Sequence, residues 1–159
     1  MTADEDTAQG TMDDKLAAMG KAPVFTPADF DRLLEKGLPQ AHRAGIRTHE
    51  MGHGTITLTM PVSDDLLRPG GTVSGPTMFA LADVALYGAV LSMAGHIVLA
   101  VTSNMNITFL RRPSPKPLVA HARIVRMGRS LAYGEVTLHS EGEDDPVAHA
   151  TGTYAIPRG

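Results

Sequence analysis

Between Arg68 and Arg111 the chain carries one formal charge, Asp83, inside the apolar run Met78-Phe79-Ala80-Leu81-Ala82-Asp83-Val84-Ala85-Leu86. Placing a carboxylate in such surroundings costs on the order of several kcal/mol unless it is hydrogen-bonded, paired or neutralised. An acid held there could draw a proton from water or attack an electrophilic carbon itself. Gly75 lies eight residues upstream, in Val73-Ser74-Gly75-Pro76-Thr77, at the expected start of the helix that carries Asp83. A helix start offers backbone N–H groups without intrahelical partners, a ready site for negative charge. Acid and helix start together mark this segment as the candidate site of chemistry.

Each feature has a plainer reading. Asp83 could cap the N–H groups of a neighbouring strand or pair with Arg68. Ser74 reads as an N-cap for the helix, because no His or acid stands at a spacing that would activate it as a nucleophile. Tyr87, one turn after Asp83, fits core packing or contact with a ligand. Arg111, Arg112, Lys116, Arg126 and Arg129 gather at expected strand ends, where they could bind phosphate groups or simply meet solvent. The seven His residues show no His-x-x-x-His or Glu-x-x-His pair on a helix, so no metal is expected. His121, His139 and His149 fall on three separate strands and leave a three-strand site open.

Composition narrows the function. A chain of 159 residues with 43% hydrophobic and 19% charged content suits one folded domain. The net charge of −3 argues against nucleic acid as partner, and the lack of Trp weakens base stacking. Without Cys there is no disulfide, thiolate metal site or thiol nucleophile, which suits a reducing, cytoplasmic setting. The first twenty residues are acidic and polar, unlike a secretory signal. Pro76 to Ala94 reaches membrane-spanning length, yet Asp83 near its centre favours a helix buried by protein over a membrane span.

The elements that must hold these residues follow from patterning. Residues 1–22 read as a flexible acidic tail, and residues 23–159 as a single domain. Thr26-Pro27-Ala28-Asp29 starts a helix over about 27–37, with Phe30, Leu33, Leu34 and Leu38 at helical spacing. Thr55 to Met60 alternates as a strand, with Ile46 to Met51 as hairpin partner through Gly52-His53-Gly54. After the loop from Pro61 to Ser74 comes the long apolar helix, Gly75 to about Met93, stopped by Gly95. Four strands then read as a meander: Ile97 to Leu110, Leu118 to Met127, Leu131 to His139, and Val147 to Ile156. A helix apolar nearly all round needs a sheet curled about it, which makes the class α+β.

Three stretches carry a resemblance. They are Gly75 to Ala85; Ala100-Val101-Thr102-Ser103-Asn104-Met105-Asn106-Ile107-Thr108-Phe109-Leu110-Arg111-Arg112-Pro113; and Arg123 to Ala132 around Met127-Gly128-Arg129. The closing Ala148-His149-Ala150-Thr151-Gly152-Thr153-Tyr154 joins them. Together they resemble the hotdog fold, and within it the PaaI-like, 4-hydroxybenzoyl-CoA thioesterase-related acyl-CoA thioesterases. The resemblance implies a long central helix wrapped by a curved antiparallel sheet. It also implies that Asp83 is the nucleophile or general base on the thioester, that the Gly75 N–H faces the thioester oxygen, and that Thr102 helps hold the attacking water.

This chain departs from the family pattern at two places. It reads Ser74-Gly75-Pro76 where His-Gly-Gly is common, and Arg68 where an Asn or Gln is common fifteen residues before the acid. These positions, with Phe79, Tyr87, Asn104, Arg111, Arg112, Arg126 and Arg129, form the expected substrate contacts. Asn104 and Asn106 are expected on the face of Thr102 by strand alternation. Phe79, Leu86 and Tyr87, helped by Phe30 or Leu34, are the expected apolar lining.

Eight helical residues span about 12 Å, too far for Gly75 and Asp83 of one chain to touch the same carbonyl. A two-fold dimer could bring them together, so a homodimer or dimer-of-dimers tetramer is expected. The implied reaction is hydrolysis of acyl-CoA, with coenzyme A as part of the substrate and no other cofactor. Two alternatives stay open: a non-catalytic acyl-CoA binder, and a hotdog dehydratase or hydratase, disfavoured because the helix holds no His before His96.

Overall fold

The computed structural model describes residues 23–95, 97 and 99–157. The expected acidic tail and His96 therefore lie outside the described residues. Helix α1 spans Pro27–Gly37 and opens with the expected cap: the Asp29 N–H donates to Thr26 Oγ1 at 3.1 Å and the Thr26 N–H to Asp29 Oδ2 at 3.0 Å. Its Phe30 and Leu34 are fully buried. A short helix α2, Pro39–Arg43, follows, opened by Pro39. Strands β1 (Arg47–Gly52) and β2 (Thr55–Met60) then pair as the expected antiparallel hairpin.

The loop before the long helix has more structure than its sequence suggests. A 3₁₀ turn, Asp64–Leu66, leads into two-residue strands β3 (Leu67–Arg68) and β4 (Thr72–Val73). Gly70 and Gly71 turn this hairpin with φ of 100° and 72°, values that L side chains rarely adopt. Arg112 donates to the Gly70 carbonyl and ties the hairpin to the far end of the sheet.

Helix α3 spans Gly75–Ala94 and ends at Gly95. Its N-cap is Ser74, whose Oγ accepts from the Thr77 N–H. By length and composition α3 could cross a membrane, but ten of its residues are buried and all six strands of the main sheet contact it. It is the core helix. Near its C-terminus the buried Ser92 accepts from the Gly54 N–H at 2.8 Å and donates to the Ala89 carbonyl at 2.7 Å, fixing the helix to the β1–β2 turn.

Strands β5 (Val101–Phe109), β6 (Leu118–Met127), β7 (Leu131–Ser140) and β8 (Pro146–Ala155) complete one antiparallel sheet in the order β1-β2-β6-β7-β8-β5. The expected four-strand meander is thus corrected. Strands β6, β7 and β8 do run as a meander, whereas β5 pairs with β8 and forms the sheet edge. The Pro- and Ser-rich connection after β5 makes this possible. The Leu110 and Arg111 N–H groups donate to Val147 O, Ser114 N–H to Ser140 Oγ, and Glu141 N–H to Pro117 O. The connection crosses the ends of β8 and β7 to reach β6. Small residues let the helix lie close: a Cβ on Gly134 or Gly152 would fall 2.6 or 2.8 Å from the methyls of Leu86.

Candidate active site

Asp83 sits midway along α3, half-buried rather than sealed in the core. Thr102, near the start of β5, donates its hydroxyl to Asp83 Oδ1 at 2.7 Å. The Tyr154 hydroxyl donates to the same oxygen at 2.5 Å and lies 3.0 Å from the Asp83 carbonyl oxygen. Thr102 and Tyr154 are direct partners in the β5–β8 ladder, so the sheet itself sets their spacing. Burial, followed by the hydrogen bond and charge of Asp83, pushes the Tyr154 phenol far above its ordinary range. It stays protonated, a permanent donor. The two plainer readings of Asp83 do not hold: its partners are side-chain hydroxyls, and no described ion pair joins it to Arg68.

Asp83, Thr102 and Tyr154 form one wall of a cavity of about 470 Å³. Leu33, Gly37 and Leu38 from α1 and its exit, Val84 and Tyr87 from α3, and Ala100 and Val101 complete it. Tyr87 lines the cavity; it stacks on Tyr154 with centroids 6.1 Å apart and packs against Phe30 at 6.2 Å. Burial raises the Tyr87 phenol as well. The rest of the expected lining is corrected. Phe30, Leu34 and Leu86 are spent in the core, and Phe79 stands partly exposed outside the cavity. Helix α1 instead turns the adjoining side, Leu33 and Gly37, toward the cavity.

Gly75 is the first residue of α3, so its N–H has no intrahelical partner. The Phe109 ring covers it, with Cζ 3.1 Å from where a Cβ on Gly75 would lie. Ser74 is the N-cap, and Pro76 is exposed in the first turn. Arg68 is exposed on β3. The strand-face expectation for the amides is corrected. A bulge between Thr102 and Asn104 pairs Asn104 with Thr153 and Asn106 with Thr151, on the face opposite Thr102 and Tyr154.

The basic residues divide between the two ends of the sheet. Arg126 and Arg129 are exposed at the end that holds Thr102 and Tyr154, and neither joins an ion pair among the described residues. Arg111 and Arg112 lie at the other end, beyond Phe109. Arg111 pairs with Asp145 at 3.1 Å, and Arg112 binds the Gly70 carbonyl. The histidines scatter: His121 meets His139 edge-on at 5.9 Å, while His149 lies 3.3 Å from Glu135.

A carboxylate oriented by two hydroxyls in the wall of an apolar cavity is equipped for acid–base or nucleophilic work on a bound carbonyl compound. The sequence model described as "Thioesterase superfamily" matches residues 70–147, a span that includes Gly75, Asp83 and Thr102. A Thermoplasma volcanium protein named "Putative esterase TV1331" is 32% identical over 105 residues, 66% of this chain and 77% of that protein. The chain belongs to the thioesterase superfamily. Among solved structures, a Silicibacter sp. TM1040 protein described as a "putative thioesterase" is 44% identical, with TM-score 0.80, covering 87% of this chain and 96% of that one. A mutant form of the phenylacetic acid degradation protein PaaI from Thermus thermophilus is 28% identical, with TM-score 0.67, covering 75% and 99%. This thioesterase-superfamily chain therefore has the hotdog architecture, with α3 as the wrapped helix.

Tyr154 is the site residue that sequence reasoning missed. It lies beyond the matched span and reads in sequence only as part of the last strand. Its signal is an inward-facing phenol, since a buried tyrosine hydroxyl requires a partner.

Proposed function

We propose that this protein hydrolyses an acyl-CoA thioester to the free acid and CoA. The observation that carries the reading is Asp83, held by Thr102 in the wall of the apolar cavity. The acyl group enters among Leu33, Leu38, Val84 and Tyr87. Asp83 adds to the thioester carbon or takes a proton from a water that does so. The carbonyl oxygen becomes an oxyanion, stabilised by the Gly75 N–H at the positive end of α3. Collapse breaks the C–S bond and CoA leaves as thiolate, taking up a proton. If Asp83 has added, water then cleaves the anhydride and restores the carboxylate.

The working unit is a cytoplasmic homodimer, alone or within a tetramer. Among the described residues strand β5 pairs only with β8 and leaves its other edge open, with Val101 58% and Phe109 49% exposed, Leu110 just after it 52% exposed, and the partly exposed Phe79 alongside. Antiparallel pairing of two β5 strands over their full length, centred on Met105, sets Phe109 opposite Val101 of the partner subunit. Phe109 covers Gly75, and Val101 adjoins Thr102. The Gly75 N–H of one subunit is thereby carried toward Asp83 of the other. The same operation brings Arg111 and Arg112 toward Arg126 and Arg129 of the partner subunit, a basic cluster for the phosphates of CoA.

Thiol release from acetyl-, hexanoyl-, decanoyl- and phenylacetyl-CoA, wild type beside Asp83→Asn, tests the proposal. Release that collapses in the variant supports it. Binding of the CoA esters without release overturns it in favour of a ligand binder, in which the Ser74 and Arg68 departures have removed turnover.

A further inference from the structure

We infer that Tyr154 is a positioning residue for the Asp83 carboxylate: together with Thr102 it occupies Oδ1 and assigns Oδ2 as the reacting oxygen. This rests on the thioester hydrolysis proposed above. A carboxylate oxygen accepts about two hydrogen bonds, and Oδ1 has two short ones, from Thr102 at 2.7 Å and Tyr154 at 2.5 Å. The described residues donate no hydrogen bond to Oδ2. With one oxygen saturated, the other is left to meet water or the thioester carbon. Rotation of the carboxyl about its Cβ–Cγ bond would break both bonds at once, so the reacting oxygen is fixed in place.

The phenol is itself rigidly held. Tyr154 is 3% exposed, its ring stacks on Tyr87, and Tyr87 packs on the fully buried Phe30. The second approach of its hydroxyl, 3.0 Å from the Asp83 carbonyl oxygen, registers β8 against the α3 backbone at that residue. The arrangement therefore holds Asp83 by side chain and main chain together. A group retained for packing alone would need no hydroxyl here, and Phe would fill the same space.

The test is Tyr154→Phe, assayed by thiol release on hexanoyl-CoA, with thermal melting to confirm the fold. Loss of one charge-assisted hydrogen bond should lower kcat about 10- to 100-fold while KM stays within about 2-fold. Wild-type kcat in a folded Tyr154→Phe protein overturns the inference and leaves thioesterase function intact. A parallel fall in kcat and stability with a raised KM also overturns it, since that pattern belongs to a packing role.

A second measurement is independent of turnover and of the Phe variant. In protein labelled with tyrosine ¹³Cζ, the Tyr154 signal should move between wild type and Asp83→Asn, while that of the exposed Tyr133 stays fixed. An unmoved Tyr154 signal overturns the inference. If no CoA ester is hydrolysed by wild type, the functional proposal falls, while this signal still decides whether Tyr154 holds the carboxylate.

Discussion

The Tyr154 hydroxyl meets Asp83 Oδ1 at 2.5 Å, joining the last strand of the sheet to the middle of its core helix. Thr102 reaches the same oxygen from the neighbouring strand at 2.7 Å. Three elements far apart in sequence converge on one carboxylate at the wall of the largely apolar cavity. Isolated, that carboxylate would be costly to desolvate; two hydroxyl donors offset the cost and orient it.

Replacing the carboxylate should remove chemistry and spare the fold. Asp83→Asn keeps the acceptor oxygen for Thr102 and Tyr154 but loses the charge and basicity. Turnover of acyl-CoA should fall about 10²- to 10⁴-fold, with the melting temperature and oligomeric state unchanged. Dissociation of the oligomer in this variant would assign Asp83 a structural role instead. Thiol release and analytical ultracentrifugation check the two halves.

The size of the acyl group should be set by the α1 side of the cavity. Leu33 lines it, while Phe30 and Leu34 anchor α1 in the core. Leu33→Trp should lower kcat/KM for decanoyl-CoA at least about 10-fold and leave acetyl-CoA within about 3-fold. Equal losses on both substrates would place the acyl group elsewhere.

Arg126 and Arg129, without ion-pair partners among the described residues, should bind the phosphates of CoA. The double change Arg126→Ala/Arg129→Ala should raise KM about 3- to 10-fold with little effect on kcat. The gap from wild type should narrow as salt is raised, since exposed charges are screened. A KM unchanged at low salt would remove these residues from the substrate site.

The helix–sheet contact under the site has no room to spare. A Cβ on Gly134 would fall 2.6 Å from Leu86 Cδ1 and 2.7 Å from the Arg123 carbonyl oxygen, a backbone atom that cannot swing aside. Gly134→Ala should destabilise the fold by about 1–3 kcal/mol, measured by denaturant unfolding.

Acid should weaken the sheet through His121. Partial desolvation first, then the neighbouring His139, lowers its folded pKa below the ordinary histidine value. The unfolded chain therefore binds the proton more readily. The stability associated with neutral His121 is present above the ordinary histidine pKa and is lost as pH falls through the lowered folded value. His121→Gln should flatten the decline in melting temperature on the acid side of pH 6.5, and an unchanged decline would exclude His121 as a contributor.

How much of this was legible follows the physics of each residue. The core helix and Asp83 stood out because a single charge in an apolar run is a local anomaly. The strands after it showed their alternation, and their bounds fell within a few residues. Strand order was hidden, because nothing local says that the connection through Pro113, Pro115 and Pro117 crosses two strand ends before β6. The pairing of Thr102 with Tyr154 depends on that crossing, so the second donor to Asp83 stayed out of reach. The bulge after Thr102 was equally silent: the alternation of Thr102, Asn104 and Asn106 reads unbroken while the backbone turns the amides to the other face. Strands β3 and β4, at two residues each, are too short to carry a period.

The central claim is that Asp83 of one subunit works with the Gly75 N–H of its partner. Subunit mixing tests it most directly. Gly75→Pro removes that N–H at the first helical position; Ser74, with ψ of 155°, already has the extended backbone that a following proline requires, and the Phe109 ring, 3.1 Å from the Cβ position, has to yield by a few tenths of an ångström. Gly75→Pro and Asp83→Asn homodimers should each be inactive. Unfolded together in equal amounts and refolded, they should recover about a quarter of wild-type thiol release, since half the dimers are mixed and each mixed dimer has one intact site. No recovery in mixtures shown to contain the heterodimer would contradict the shared site.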